Sequence, residues 1–313
     1  MNAAILSIVF PVFLVIMLGF SLKKTGLVQD SFMYDLNRLI YYIALPSLLF
    51  HKIATADFFA SFNPRLLVVM GIATLSCCVF SYLYAVIRGY EPQIKGAFCQ
   101  GSFRGNLAYV GLAIVYQAYG EVGFAIGGIL LGFLVPLLNF LSILTLILSQ
   151  GKQLRNLGAI FFIKQILNNP LIIASLAGLL WSFLGWPIHT IIDRALSIVT
   201  GMALPLALIS IGASFSFKKV RGDLGMALLA TVNKIILMPL GTAVLLWFAG
   251  VRGQEFAVGV LFAGTPVAAA AYIMAQQLRS DAELSGAIIA LSTLCSLATY
   301  TIILYLLNIA GLV

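Results

Sequence analysis

Two polar interruptions inside long apolar segments contain the residues best suited to bind a ligand. The first lies in AFCQGSFRGNLAYVGLAIVYQ, which starts at Ala97 and is broken by Arg104, Gly105 and Asn106. The second lies in LFAGTPVAAAAYIMAQQ, which is broken by Gly264, Thr265 and Pro266. A charge or a helix-breaking pair in the middle of a membrane-length helix is costly, and such costs are tolerated at functional sites.

The residue types at the breaks are suited to starting new helices. Asn106 can cap a half-helix beginning at Leu107, and Thr265 can cap one beginning at Pro266, because proline suits the first helical turn. Each half-helix then presents backbone N–H groups and the positive end of its dipole. If the two breaks meet, they favour an anion such as a carboxylate, and Arg104 strengthens this preference if it faces inward.

The alternative is that the glycines merely permit close helix packing and that Arg104 snorkels outward. Two breaks at corresponding positions favour a binding site over this alternative. Lys234 is the other basic residue deep in an apolar segment, and it can either neutralise a substrate or snorkel to the cytoplasmic loop. The sequence leaves both of these outcomes open.

Tyrosine and glutamine side chains near the breaks can supply directional hydrogen bonds beside an apolar wall, although each alone is a weak signal. The predicted substrate-binding residues are therefore Arg104, Gly105, Asn106, Tyr109, Lys234, Gly264, Thr265, Pro266, Tyr272 and Gln276.

Composition indicates an all-α polytopic membrane protein. The chain has 313 residues, of which 62% are hydrophobic and 9% charged, and its mean hydropathy is +1.08. Apolar windows predict ten transmembrane helices. Their approximate bounds are 3–22, 36–51, 66–87, 97–119, 122–149, 166–184, 188–215, 224–249, 256–277 and 284–309.

An offset of 159 residues relates the two halves of the chain. It places Pro11 on Pro170, the triplet Ala44–Pro46 on Ala203–Pro205, and Gly105 on Gly264. Chance matches between apolar sequences would not keep one ungapped offset for prolines and glycines. The pattern predicts a 5+5 inverted repeat, with helices 1–5 in residues 1–149 and helices 6–10 in residues 166–313.

Lysines and arginines concentrate in the loops after odd-numbered spans, including Lys23, Arg88, Lys152, Lys218 and Arg279. These loops are therefore predicted to be cytoplasmic, with both termini extracytoplasmic and the protein in the plasma (inner) membrane. The formal charge of +8 is a topology signal, and it gives no reason to expect a nucleic-acid partner.

The predicted spans lack the buried acidic residues and histidine–acid pairs that several other functions would require. All ten acidic residues lie in loops or at span ends, which argues against a cation antiporter with a central carboxylate. A sodium ion held by backbone carbonyls at the breaks remains open. The two histidines, His51 and His189, lie at span ends without nearby acidic partners, so neither an enzyme nor a metal or cofactor site is expected.

Four stretches resemble the auxin efflux carrier family, which includes bacterial dicarboxylate permeases and plant auxin carriers. They are GFSLKKTGLVQDSFMYDLNRLIYYIALPSLLF, FRGNLAYVGLAIV, ALPLALISIGASFSF and GTPVAAAAYIMAQQ. The resemblance covers essentially the whole chain and implies a fold similar to sodium/proton antiporters and bile-acid transporters. In that fold, helices 1, 2, 6 and 7 form a scaffold, helices 3–5 and 8–10 form a transport unit, and broken helices 4 and 9 cross. The family's asparagine and proline at the breaks correspond to Asn106 and Pro266.

These observations together predict a secondary transporter of small organic anions, such as mono- or dicarboxylates or auxin-like weak acids. It would work by alternating access in the lipid bilayer, with possible proton or sodium coupling. The resemblance also implies a homodimer through the scaffold helices. The alternatives are a sodium-coupled symporter of the bile-acid type and a membrane receptor that binds its ligand without transporting it.

Overall fold

The computed structural model describes residues 3–55, 63–150, 168–213 and 224–311, and these fold into helices joined by short turns. Six helices among them are long and apolar enough to cross a membrane. They are Ile5–Lys24, Pro64–Ile87, Leu107–Ser149, Thr190–Ala213, Leu224–Phe248 and Ala282–Ile309. The class of polytopic helical membrane protein is therefore confirmed, whereas the ten-helix inverted repeat and its boundaries stay a prediction.

Thirteen α-helices follow one another in the described residues. The first six are α1 (Ala3–Lys24), α2 (Asp30–Leu39), α3 (Leu45–Ala54), α4 (Pro64–Ile87), α5 (Pro92–Phe103) and α6 (Leu112–Ser149). The others are α7 (Pro170–Phe183), α8 (Thr190–Ala213), α9 (Leu224–Val232), α10 (Met238–Phe248), α11 (Gly253–Ala263), α12 (Ala270–Gln277) and α13 (Ala282–Ile309).

Widened π-helical turns join several of these helices without a loop. One turn, Ile40–Ala44, precedes Pro46 in α3, and another, Asn233–Leu237, precedes Pro239 in α10. A proline ring clashes with the carbonyl four residues earlier, and a widened turn relieves that clash. A third turn, Leu107–Gly111, leads into α6 directly after the first break.

Gly120 interrupts α6 at the place where predicted spans 4 and 5 were separated. Its backbone torsion angles are φ 58° and ψ −145°, which only glycine adopts readily.

Other expectations cannot be compared with the structure. The start of span 6, the end of span 7 and six loop cations lie outside the described residues, the cations being Lys152, Arg155, Lys164, Lys218, Lys219 and Arg221.

The chain divides into two compact units. Unit 1 comprises Met1–Asn63, Ala108–Phe133 and Gln165–Phe215. Within it, α1 and α8 approach closely where a side chain would not fit: a Cβ on Gly19 would meet the carbonyl of Ile209, and one on Gly212 would meet the carbonyl of Ile16. Small residues allow membrane helices to pack backbone to backbone in this way.

Unit 2 comprises Pro64–Leu107, Leu134–Lys164 and Ser216–Val313, and it contains both breaks. Its central cluster is rich in alanine, which brings α4, α5, α9, α12 and α13 close together. The cluster consists of Ala85, Ala97, Phe98, Ala227, Ala230, Val267, Ala271, Leu284, Ala287 and Ile288. The assignment of helices to a scaffold and a transport unit is a separate prediction, and it stays one.

The expectation that both histidines lack an acidic partner is wrong for His51. Its Nε2 lies 2.7 Å from the Oδ1 atom of Asp193 at the start of α8. The two residues are 142 positions apart in the chain, so only the tertiary fold brings them together. Among the described residues His189 makes no such pair, and its Nδ1 accepts a hydrogen bond from the Ile191 N–H.

Candidate functional site

The two helix breaks lie side by side in unit 2. Helix α5 ends at Phe103 and α11 at Ala263, and the segments that follow run antiparallel, with Gly105 opposite Val267. The Asn106 N–H donates to the Pro266 carbonyl at 2.7 Å, and the Ala268 N–H donates to the Arg104 carbonyl at 3.0 Å. This paired segment therefore satisfies backbone groups that broken helices would otherwise leave exposed.

Gly105 is required by the closeness of this pairing. A Cβ at this position would collide with Oγ1 of Thr265 and would lie 3.2 Å from Cε of Lys234. Only hydrogen fits where the two segments and the lysine side chain meet. The structure thus brings together five of the predicted site residues, namely Gly105, Asn106, Lys234, Thr265 and Pro266.

The first half-helix begins where the sequence indicated, and the second does not. Helical structure resumes at Leu107 directly after Asn106. Thr265, however, does not cap a helix at Pro266, because its Oγ1 donates backwards to the Phe262 carbonyl at 2.9 Å and α12 begins only at Ala270. The chain from 266 to 268 is extended because it pairs with residues 104 to 106 instead of coiling.

Ser292 on α13 is a member of the site that sequence reasoning missed. Its side chain is fully buried, and its Oγ accepts a hydrogen bond from the Val267 N–H at 3.0 Å. The one indication of Ser292 in the sequence was that the last apolar span contains several serines and threonines. Such hydroxyls usually bond to their own helix, so this series did not single out Ser292.

Lys234 does not snorkel to a loop. It lies in the π-helical turn between α9 and α10, is completely buried, and donates from Nζ to the carbonyl of Ala263. That carbonyl ends α11, where the negative end of the helix dipole attracts a cation. Lys234 makes no salt bridge with any described acidic residue. The paired breaks thus contain a buried lysine side chain next to backbone groups and hydroxyls.

Arg104 follows neither of the two predicted paths. Its guanidinium points to α6, where it donates to the Leu138 carbonyl at 3.2 Å, the Ser142 hydroxyl at 2.8 Å and the Asn139 side-chain oxygen at 2.7 Å. The residue is buried, so it does not reach the interface. Its backbone carbonyl belongs to the paired segments, and its side chain anchors this end of the first break to α6.

We expect Arg104→Gln to lower the free energy of unfolding by about 1.5–3 kcal/mol, because a buried charged donor is lost and its acceptors stay buried. Thermal unfolding of the purified protein measures the change. Arg252→Gln is the matched control: that arginine also donates to two carbonyls, but it is exposed. Equal stability loss in both variants would show that the Arg104 bonds do not hold the break.

The remaining predicted residues take no part in the backbone pairing that the structure describes. Gln276 donates to the Tyr272 hydroxyl at 3.0 Å, one turn apart on α12. A Cβ on Gly264 would lie 2.9 Å from the tip of Ile303, so this glycine faces α13. Tyr109 follows the first break and belongs to unit 1. The structure therefore places these residues near the breaks in sequence without joining them into the pairing.

Gln100 is a further polar residue close to the first break. Its side chain is fully buried in α5, and its Nε2 lies 3.6 Å from the sulfur of Met274. Its Oε1 has no hydrogen-bond partner among the described residues. A buried amide oxygen without a partner is destabilising, which makes it a place where a ligand or an ion can gain a contact.

Apolar helices of membrane length, together with two broken helices that pair inside one unit, define a polytopic α-helical membrane protein. Residues 4–304 match the protein family described as membrane transport protein. The chain belongs to this family, the auxin efflux carriers, so it is a membrane transport protein and not an enzyme. The family resemblance noted from the four sequence stretches is thereby confirmed.

Two relatives cover almost the full length of the chain. A protein of Methanothermobacter thermautotrophicus named "Uncharacterized transporter" is 27% identical, with 93% of this chain and 94% of the relative aligned. A protein of Rhizobium meliloti named "Putative malonate transporter" is 25% identical, with 99% of this chain and 98% of the relative aligned. Both names describe transporters.

Proposed function

We propose that this protein is a secondary carrier of small organic anions and that it binds them at the paired helix breaks. The observation that carries the proposal is Lys234, whose side chain is completely buried, makes no salt bridge in the described residues and lies against Gly105. Burying a charge is costly unless an opposite charge or strong hydrogen bonds accompany it. A bound carboxylate supplies the missing charge.

Backbone donors support an anion at the same place. The N–H groups of Ala269 and Ala270, at the start of α12, have no hydrogen-bond partner in the part of the chain that the structure describes. Both residues are exposed. The first N–H groups of a helix form an anion-binding end, and Asn106 adds a side-chain amide on the opposite segment.

The mechanism that fits such a site is alternating access. Helices 3–5 and 8–10 of the predicted topology would move as a transport unit against a scaffold of helices 1, 2, 6 and 7, exposing the paired breaks to each side in turn. We place the protein in the plasma membrane with both termini extracytoplasmic, and we expect a homodimer through the scaffold.

The name of the Rhizobium meliloti relative makes malonate the first substrate to test. The purified protein reconstituted in liposomes should exchange labelled malonate, or a monocarboxylate such as acetate, for unlabelled substrate on the other side. Exchange that requires sodium would favour the sodium-coupled symporter. Binding without exchange would favour the receptor, and absence of both for every carboxylate would contradict an anion carrier.

Asn106→Ala tests the site itself. We expect the affinity for the transported carboxylate to fall about tenfold, because one hydrogen bond to a charged group is lost. Equilibrium binding of labelled substrate to the purified variant measures the change. Asn308→Ala, near the end of α13, is the control and should bind as the wild type does. Unchanged affinity in a folded Asn106→Ala protein would place the anion elsewhere.

A further inference from the structure

A buried polar residue next to Lys234 has no part in the proposal above. Asn233 is the first residue of the π-helical turn between α9 and α10, and it is 8% exposed. It lies near the middle of the membrane-length helix Leu224–Phe248. Burying an amide without a hydrogen-bond partner in a membrane span is costly, so a polar side chain at this place requires a partner.

The partner of Asn233 is Ser81 on α4, 152 positions earlier in the chain. Nδ2 of Asn233 donates to Oγ of Ser81 at 3.1 Å. Ser81 is fully buried, and its hydroxyl donates to the Cys77 carbonyl at 2.6 Å. Since a hydroxyl has one hydrogen, its oxygen is left to accept, and the amide nitrogen of Asn233 must face it. The bond therefore has one defined direction and joins two helices of unit 2.

The same face of α4 also contacts the helix that leads to the first break. The Cys77 thiol, one turn before Ser81, donates to the carbonyl of Ser102 at 3.2 Å. Ser102 belongs to the last turn of α5, directly before the break. Side chains four residues apart lie on one side of a helix. One face of α4 thus contacts both the end of α5 and the turn that contains Lys234.

The direction of the Lys234 side chain depends on this widened turn. Because each residue of an α-helix turns the chain by about 100°, the place of the extra residue sets which way the lysine points. Pro239 lies just after the end of the turn, and the bond between Asn233 and Ser81 fixes its start. With the turn in this place, the Lys234 amine reaches the carbonyl at the end of α11.

Stability alone does not explain a polar pair here. A hydrogen bond between membrane helices contributes little to the free energy of unfolding, because the separated helices find other partners in the membrane. Apolar side chains would fill the same space without the cost of burying an amide. A buried hydrogen bond instead forms at one relative rotation of the two helices, so it specifies a unique arrangement.

We propose that Asn233 and Ser81 are a positioning pair for the anion site: their bond holds the Lys234 amine at the paired breaks, where it meets the carboxylate of the substrate. The inference rests on the proposed function, because the carrier proposal is what places Lys234 against the anion. Asn233 and Ser81 act through Lys234 and do not themselves contact the anion.

Equilibrium binding of labelled malonate to the full-length protein in lipid nanodiscs tests this role. We expect Asn233→Leu and Ser81→Ala each to lower the affinity about threefold to tenfold, which corresponds to the energy of one interhelical hydrogen bond. The double variant should bind about as weakly as either single variant, since both changes remove the same bond. In Lys234→Met, which lacks the amine, adding Asn233→Leu should lower the affinity no further.

The chain offers a matched control pair in unit 1. There the Ser210 hydroxyl donates to the side-chain oxygen of Asn37, so the same two residue types join α8 to α2. Asn37→Leu and Ser210→Ala should lower the unfolding temperature about as much as the corresponding changes in unit 2 and leave the malonate affinity unchanged. An equal fall in affinity in all four variants would show general destabilisation and would overturn the inference.

A measurement on the lysine itself does not depend on the substrate. Formaldehyde with a borane reductant methylates accessible lysine amines, and mass spectrometry of the peptide that contains Lys234 gives the rate. In the wild type Lys234 should react much more slowly than Lys24, which is exposed. In Asn233→Leu and in Ser81→Ala it should react several times faster than in the wild type, whereas the two control variants should show the wild-type rate.

The outcomes separate the positioning role from the carrier proposal. Wild-type malonate affinity in both Asn233→Leu and Ser81→Ala, beside lost binding in Lys234→Met, would overturn the positioning pair and leave the carrier proposal standing. A Lys234 methylation rate that rises in neither variant would overturn it as well, whatever the substrate. Faster methylation in both variants of a protein whose wild type binds neither malonate nor acetate would support the pair and count against the carrier proposal alone.

Discussion

Replacing Lys234 with methionine is expected to weaken binding of the transported carboxylate by about 30-fold or more, since loss of a buried charge pair costs about 2–5 kcal/mol. The side chain is completely buried and lies against the paired segments, so the substitution removes the amino group from the candidate site itself. Equilibrium binding of labelled substrate measures the affinity, and uptake into liposomes should fall with it.

Thermal stability measurements distinguish a lost binding site in Lys234→Met from an unfolded protein. Methionine fills a similar volume without the cost of burying a polar amino group, so the ligand-free variant should be at least as stable as the wild type apart from the lost bond to the Ala263 carbonyl. Carboxylate should then raise the unfolding temperature of the wild type and not that of Lys234→Met. Lys24→Met, at the exposed end of α1, is the control. Full ligand stabilisation in Lys234→Met would exclude the lysine from the site.

The helix breaks were predictable because their signals are local. A glycine followed by asparagine weakens a helix through local backbone and capping preferences, and helical structure resumes at Leu107 as expected. The family could also be identified from sequence stretches alone, since the resemblance covers nearly the whole chain. Composition was sufficient for the membrane class, because no soluble surface could accommodate so many apolar residues.

Side-chain partners were not predictable where they depend on distant parts of the chain. Thr265 fits the local pattern of a helix cap, yet the pairing with residues 104 to 106 delays the helix to Ala270. Arg104 bonds to residues of α6 that lie more than thirty positions later in the chain, and His51 bonds to Asp193 across 142 residues. Spacing within one segment contains no information about such contacts.

Lys234 shows how packing decides between outcomes that the sequence leaves equal. Distance along the helix allows its ammonium to reach the cytoplasmic loop. The widened turn that precedes Pro239 and the carbonyl end of α11 hold it inside unit 2 instead. The Lys234 side chain could extend to the carbonyl end of a helix or to the membrane interface, and only the tertiary structure shows which of the two it contacts.

Gly105→Ala is expected to destabilise the protein by about 1–3 kcal/mol, the usual cost of forcing an extra carbon into a packed position. The added Cβ would collide with Thr265 Oγ1 and press on Lys234, so the two segments must separate and their backbone bonds must lengthen. Carboxylate binding should weaken as well, because the breaks supply its donors. Thermal unfolding and equilibrium binding measure the two effects.

The geometry also predicts a rescue. Thr265→Ala removes the atom that the new Cβ would strike, so adding it to Gly105→Ala should restore much of the lost stability. The remaining loss is set by Lys234 Cε at 3.2 Å and Leu107 Cδ2 at 3.3 Å. Gly241→Ala is the matched control, since its Cβ would meet nothing within 4 Å in α10 and alanine favours a helix. If Gly105→Ala proved no more destabilising than Gly241→Ala, or if Thr265→Ala added its own loss without rescue, the two segments would not be held in close contact. Rescue of stability together with carboxylate binding would show that the same close approach of the two breaks supports both the fold of unit 2 and its site.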